Sequence, residues 1–179
     1  MAQEKMILDL GCGNKKRPGS IGMDINNRTA ADIVHDLNVF PYPIEDSTFD
    51  EVYMDNSLEH LNDVIKVMEE IHRICKAGAL IKIMVPYFRS IWAFGDSTHV
   101  KYFTVRTFEI FDPESTVSTQ YDYTRLRFKK EKIVFNERLS NGFVKGMIIK
   151  YANKNPFKYE YYFSHLIPLD ELSYYLRKV

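Results

Sequence analysis

Residues 6–10 read Met-Ile-Leu-Asp-Leu and stop at Gly11-Cys12-Gly13; a second short run, 20–25, carries Asp24 near its end. An apolar run of this length that ends in glycines is a buried parallel strand. No other feature constrains the chain as strongly. Strand, tight turn, strand and acid predict an open α/β sheet with its ligand at the carboxyl ends of the strands. Glycines let the backbone approach a ligand where a Cβ would clash. A carboxylate after the second strand accepts both hydroxyls of a ribose. The combination points to a cofactor that carries adenosine.

The residues after the loop separate one adenosine cofactor from another. A dinucleotide site needs a third glycine three residues after the second and a helix N-terminus for the pyrophosphate. Lys16 stands at that position, and Arg17-Pro18-Gly19 breaks a helix. The chain between Gly13 and Asp24 is too short for the usual first helix, which reduces to a turn. Asp32 has a spacing that suits a nicotinamide site, so a nicotinamide-dependent oxidoreductase stays open as an alternative.

Further along, 31–36 and 49–55 read as strands. A helix follows over 64–75, with Val64, Ile65, Val67, Met68, Ile71, Ile74 and Cys75 on one face and Lys66, Glu69, Glu70 and Arg73 opposite. Ala77-Gly78 suits its C-cap, and 79–85 is a strand stopped by Pro86. Thr104 suits the N-cap of a short helix over 104–111. Alternating stretches near 125–135 and 172–179 predict an antiparallel pair at one sheet edge. The intervening 139–168, rich in Tyr, Phe and Lys, has no assignable pattern. The expectation is a three-layer α/β/α sandwich, Rossmann-like, its mostly parallel sheet ending in an antiparallel C-terminal strand, with residues 1–179 as one domain.

Charge narrows the partners. Lys+Arg and Asp+Glu both number 24, which disfavours nucleic acid held by long-range electrostatics. No apolar run approaches the roughly 20 residues of a membrane span. Cys12 and Cys75 lie far apart without metal-ligand spacing, so neither a disulfide framework nor a metal is expected. The opening residues show no leader-like apolar stretch, and a cytoplasmic location is expected. Arg125, Arg127, Lys129, Lys130 and Lys132 suit a solvated edge strand; a phosphate-bearing partner is the sharper alternative. Tyr-rich 159–163 suits either a cover over an acceptor pocket or a homodimer contact.

Ile7-Leu8-Asp9-Leu10-Gly11-Cys12-Gly13 with Gly22-Met23-Asp24 resembles the first motif of class I S-adenosylmethionine-dependent methyltransferases. Asp36-Leu37-Asn38-Val39-Phe40-Pro41, then Phe49-Asp50-Glu51-Val52-Tyr53 with Ser57-Leu58-Glu59-His60-Leu61, then 70–79, resemble later motifs of that family in the same order. The set covers residues 6–86. It implies S-adenosylmethionine as cofactor and methyl transfer to a small-molecule acceptor. By that resemblance Asp9, Gly11, Cys12 and Gly13 surround the methionine part, Asp9 orienting the loop. Asp24 and Ile25 meet the ribose and its neighbourhood, Asp36 and Leu37 the adenine, and Asp55 and Asn56 the methionine end. Gly95-Asp96-Ser97-Thr98-His99 resembles a Gly-Asp-Pro-Thr-His segment in a subset of small methyltransferases. Tyr87, Trp92, Asp96 and His99 are accordingly the candidate acceptor lining. His99 is the candidate base, since an imidazole titrates near working pH, while His60 suits local hydrogen bonding. A non-catalytic S-adenosylmethionine-binding protein is the alternative.

Overall fold

The computed structural model describes residues 5–121, 123–136 and 142–179. Its sheet has seven strands: β1 Ile7–Leu10, β2 Ile21–Asp24, β3 Ile33–Val34, β4 Phe49–Asp55, β5 Cys75–Pro86, β6 Phe128–Asn136 and β7 Glu171–Lys178. They lie in the order β3-β2-β1-β4-β5-β7-β6. The first five run parallel, and β7 pairs antiparallel with both β5 and β6. The mostly parallel sheet and its antiparallel C-terminal strand agree with the sequence reading. Leu8, Leu10, Val52, Met54, Ile81, Ile83 and Val85 are wholly excluded from solvent, as the middle strands of a covered parallel sheet require.

Between β4 and β5 runs α1, Val64–Ile74, whose first turn is capped by the Asp63 side chain accepting from the Lys66 amide. It buries Val67, Met68, Ile71 and Ile74, each contributing on the order of 2 kcal/mol by leaving water. The helix does not reach the expected glycine cap. Cys75 is already extended, and Lys178 Nζ of β7 takes the carbonyls of His72 and Cys75 at 2.7 and 2.8 Å. Gly78, at φ +75°, lies inside β5, which slips register against β4 between Phe49 and Glu51.

Two other expectations shift. The helix placed over 104–111 is a 3-10 turn confined to Thr107–Phe111. Thr107 Oγ1 accepts from the Thr104 amide, and the buried Tyr174 hydroxyl donates to the Thr104 carbonyl. Those bonds hold 104–106 out of the helix. The unassigned segment contains α4, Phe143–Lys154, and α5, Pro156–Tyr162; its residues 139–141 lie outside the described residues. Two five-residue helices complete the set, α2 Ile91–Gly95 and α3 Thr116–Gln120. As expected, no helix joins β1 to β2.

The edge strand β6 is blunted rather than open. Asn153 of α4 accepts from the Phe135 amide and donates to its carbonyl. Its basic run is largely engaged as well: Lys129 pairs with Glu114, Lys130 with Glu109 and Asp112, and Lys132 lies over the Tyr175 ring.

Burial of Cys75 pushes its thiol up to about 12, so the thiolate is scarce at neutral pH. A Cys12→Ser variant, whose only thiol is Cys75, is expected to give no reaction with a disulfide reagent at pH 8 until denaturant is added. Rapid labelling of the native variant would refute the buried start of β5.

Candidate functional site

The loop leaving β1 turns through two left-handed glycines, Gly11 at φ +67° and Gly13 at φ +51°. Gly11 is required twice over, because an added Cβ would stand 2.5 Å from the Ser57 Cβ. Ser57 follows β4 and donates its hydroxyl to the Leu10 carbonyl, so the exits of β1 and β4 are pressed together.

Three carboxylates hold this helix-less connection. Asp24 accepts from the Gly13 amide with one oxygen and the Asn26 amide with the other, both at 2.9 Å. Asp9, nearly buried, accepts from the Arg17 amide at 2.8 Å; burial chiefly, with Asp55 nearby, holds its carboxyl above the usual range. Asp32 takes the Gly22 amide at 2.7 Å and the Lys16 ammonium at 2.8 Å. Those contacts hold its carboxyl below the usual range, the Gly22 bond contributing most. The acid that kept a nicotinamide site in play is thus part of the loop's scaffold.

A cleft of about 670 Å³ opens beside the loop. Of the expected cofactor residues, Asp9, Gly11, Cys12, Gly13, Asp55 and Asn56 line it, joined by Asn14, Lys15, Arg17, Pro18 and Met84. Asp24, Ile25, Asp36 and Leu37 stand outside that lining. Ile25 is 65% exposed, an apolar side chain left uncovered directly after Asp24. Asp36 accepts from the Asn38 amide, and Leu37 is buried.

Arg17 is the residue that sequence reasoning undervalued, treating it as a helix breaker. Its guanidinium lies 3.7 Å above the centre of the Tyr53 ring and 3.3 Å from Asp55 Oδ2. Arg17 Nε and Asp55 Oδ1 are both buried without a hydrogen-bond partner. Buried polar atoms are ordinarily satisfied, so a free donor and a free acceptor on paired, opposite charges mark places a ligand would complete. The carboxylate and ammonium of an α-amino acid have that complementarity. The cleft therefore fits S-adenosylmethionine through the cofactor's methionine part.

The expected acceptor residues do not share one surface. Tyr87 is fully buried, its ring edge-on to Phe88 and Phe135. Trp92 is 37% exposed on α2. Asp96 binds Thr98, and His99 Nδ1 donates to the Ala93 carbonyl at 3.1 Å. A second cavity of about 610 Å³ lies directly after β5, with Phe88, Arg89, Arg106, Lys158, Tyr161 and Tyr162 among its lining. His99 lines neither cavity. No spacing signal could have found the second one, because half of it comes from α5, which lies in the unassigned segment.

A family model described as a methyltransferase domain matches residues 8–83. No curated protein matches the sequence. Among solved structures, the chain resembles an S-adenosylmethionine-dependent methyltransferase from Archaeoglobus fulgidus (19% identity, TM-score 0.56, 97% of this chain and 86% of that one). It also resembles one from Mesorhizobium loti (14%, TM-score 0.59, 97% and 91%). A third, the cyclase SpnF, aligns at 14% identity and TM-score 0.57 over 97% and 75%. A cyclase on this fold illustrates why the reaction must be argued from the site.

Gly11→Ala is expected to lower stability by about 2 kcal/mol or more, since it adds a left-handed alanine to a steric clash. Ser57→Gly in the same chain should recover part of the loss in a denaturant titration. Full tolerance of Gly11→Ala would show that the loop is not held against β4.

Proposed function

We propose, from the premise that the chain is an S-adenosylmethionine-dependent methyltransferase, the family its residues 8–83 match, that it methylates a small-molecule acceptor. The observation that carries the proposal is the unpartnered pair Arg17 Nε and Asp55 Oδ1 beside the glycine loop. When bound, the cofactor supplies a methyl group already activated on a sulfonium. The protein's part is then chiefly to align donor and acceptor and to exclude competing positions.

Each residue has a distinct task. Arg17 receives the methionine carboxylate and Asp55 its ammonium. Gly11 and Gly13 let the backbone run close to the ligand, with Cys12 and Asn56 completing the wall. Asp24 keeps lone pairs free after its two amide bonds, enough to receive ribose hydroxyls while it locks the loop. Ile25 offers its exposed apolar face to the adenine, and Asp36 with Leu37 reads the adenine edge. On the acceptor side, Arg89, Arg106 and Lys158 among aromatic rings suit a small molecule with an anionic group and an apolar body. Tyr87 forms packing behind that wall rather than contacting the acceptor.

Calorimetric titration tests the assignment with two ligands that differ only at the amino-acid end. S-adenosylhomocysteine should bind the wild type, weaken by about tenfold or more in Arg17→Met and in Asp55→Asn, and lose binding in Asp24→Ala. Methylthioadenosine, which lacks the amino-acid group, should bind wild type, Arg17→Met and Asp55→Asn alike. Equal losses for both ligands would remove the carboxylate and ammonium contacts from the proposal. Absence of heat in the wild type would remove the cofactor site itself.

A further inference from the structure

The turn after β4 and the loop after α2 meet at a cluster that the methyl-transfer reading leaves unused. Glu59 and His60 belong to the 3-10 turn Leu58–His60. His99 arrives from the other loop, whose next two amides, Val100 and Lys101, both donate to the Glu59 carbonyl at 2.9 and 3.1 Å. One donor atom from each of Glu59, His60 and His99 lies within 4.8 Å of the other two. The Glu59 and His99 side chains are 2% and 8% exposed.

Hydrogen bonding assigns both imidazoles the same tautomer. The Thr98 hydroxyl has one proton, and it donates that proton to Asp96 Oδ1 at 2.6 Å. It must then accept from His60 Nδ1, 3.0 Å away, which leaves His60 Nε2 with its lone pair. The Ala93 carbonyl can only accept, so His99 Nδ1 donates to it and His99 Nε2 also carries a lone pair. That nitrogen stands 3.9 Å from Glu59 Oε1 and 3.9 Å from Asp96 Oδ2.

A lone pair facing two carboxylates is repulsive unless a cation lies between them. The distances discriminate between a proton and a metal. An imidazolium would bring a carboxylate to about 2.7–2.9 Å. An ion holding nitrogen and oxygen at about 2.0–2.2 Å each keeps the two donors more than 3 Å apart. An imidazole whose other nitrogen is anchored on a backbone carbonyl or a carboxylate-linked group is also the usual outer support of a metal ligand. We infer that Glu59, His60 and His99 form a binding site for a divalent transition-metal ion of the zinc class, with Asp96 completing its charge. Three protein donors leave one coordination position open. In this arrangement His99 is a ligand and not a proton acceptor.

Metal-stripped full-length protein titrated with Zn²⁺, and separately with Co²⁺ while visible absorption is followed, tests the site. Saturable binding of one ion per chain is expected, with the bands of tetrahedral Co²⁺. Glu59→Gln and His99→Ala should each weaken binding by more than about a hundredfold, and Thr98→Val by about tenfold through loss of its hold on His60. His35→Ala, whose ring binds the Val39 carbonyl elsewhere, should bind as wild type, and circular dichroism would confirm that each variant is folded. Absence of binding, or equal binding by wild type and folded His99→Ala, would overturn the inference. So would an imidazole nitrogen spectrum that shows His99 doubly protonated in the presence of excess Zn²⁺.

Discussion

The bond from the Gly13 amide to the Asp24 carboxylate fixes the geometry on which the cleft depends. In a nucleotide-binding crossover, a helix following the glycine turn would supply unpaired amides and a positive macrodipole end. Here the chain returns from β1 to β2 without one, and its amides must be satisfied locally. Asp24, Asp9 and Asp32 accept from Gly13, Arg17 and Gly22 in turn. The loop is therefore built on charge-assisted hydrogen bonds, which are short and directional.

That substitution changes the electrostatics of the cleft. The positive end of a helix is diffuse, whereas the Arg17 guanidinium is a point of charge oriented by Tyr53 below it and Asp55 beside it. Because Arg17 is itself tied to Asp9 through its backbone amide, loop shape and charge placement are one problem. Burial of Asp9 carries a cost for the ionised carboxylate, and the Arg17 amide bond opposes it. The Glu59, His60 and His99 cluster follows the same logic on the next pair of loops. The carbonyl of Glu59 stitches the loops together while its side chain faces the imidazoles.

The parts of the fold with a strict pattern were legible in the sequence. Residues 6–10 and 49–55 alternate or run apolar as sheet strands must, and Gly11 and Asp24 hold positions few other residues could fill. What failed had competing local bonds. Ala77-Gly78 has the chemistry of a helix cap, yet Lys178 from the far end of the chain collects the carbonyls three residues earlier. Thr104 could cap a helix, but Thr107 and Tyr174 draw its backbone groups elsewhere. α4 leaves Phe143, Val144 and Met147 exposed, so no buried stripe announced it.

The sequence by itself determined the strand–glycine–strand–acid unit, because φ above zero beside Ser57 admits only glycine and a period of neither two nor 3.6 can hide a buried strand. It also determined the helix before β5 and the antiparallel pair of β6 and β7. Tertiary structure alone decided which charges meet. Arg17 reaches Asp55 across 38 positions, and His99 reaches Glu59 across the turn and loop that flank α1 and β5. Spacing rules register ligands only on one helix, strand or loop. Both constellations arise where parallel strands deliver separate loops to the same edge, and that juxtaposition follows from strand order, which no local pattern encodes.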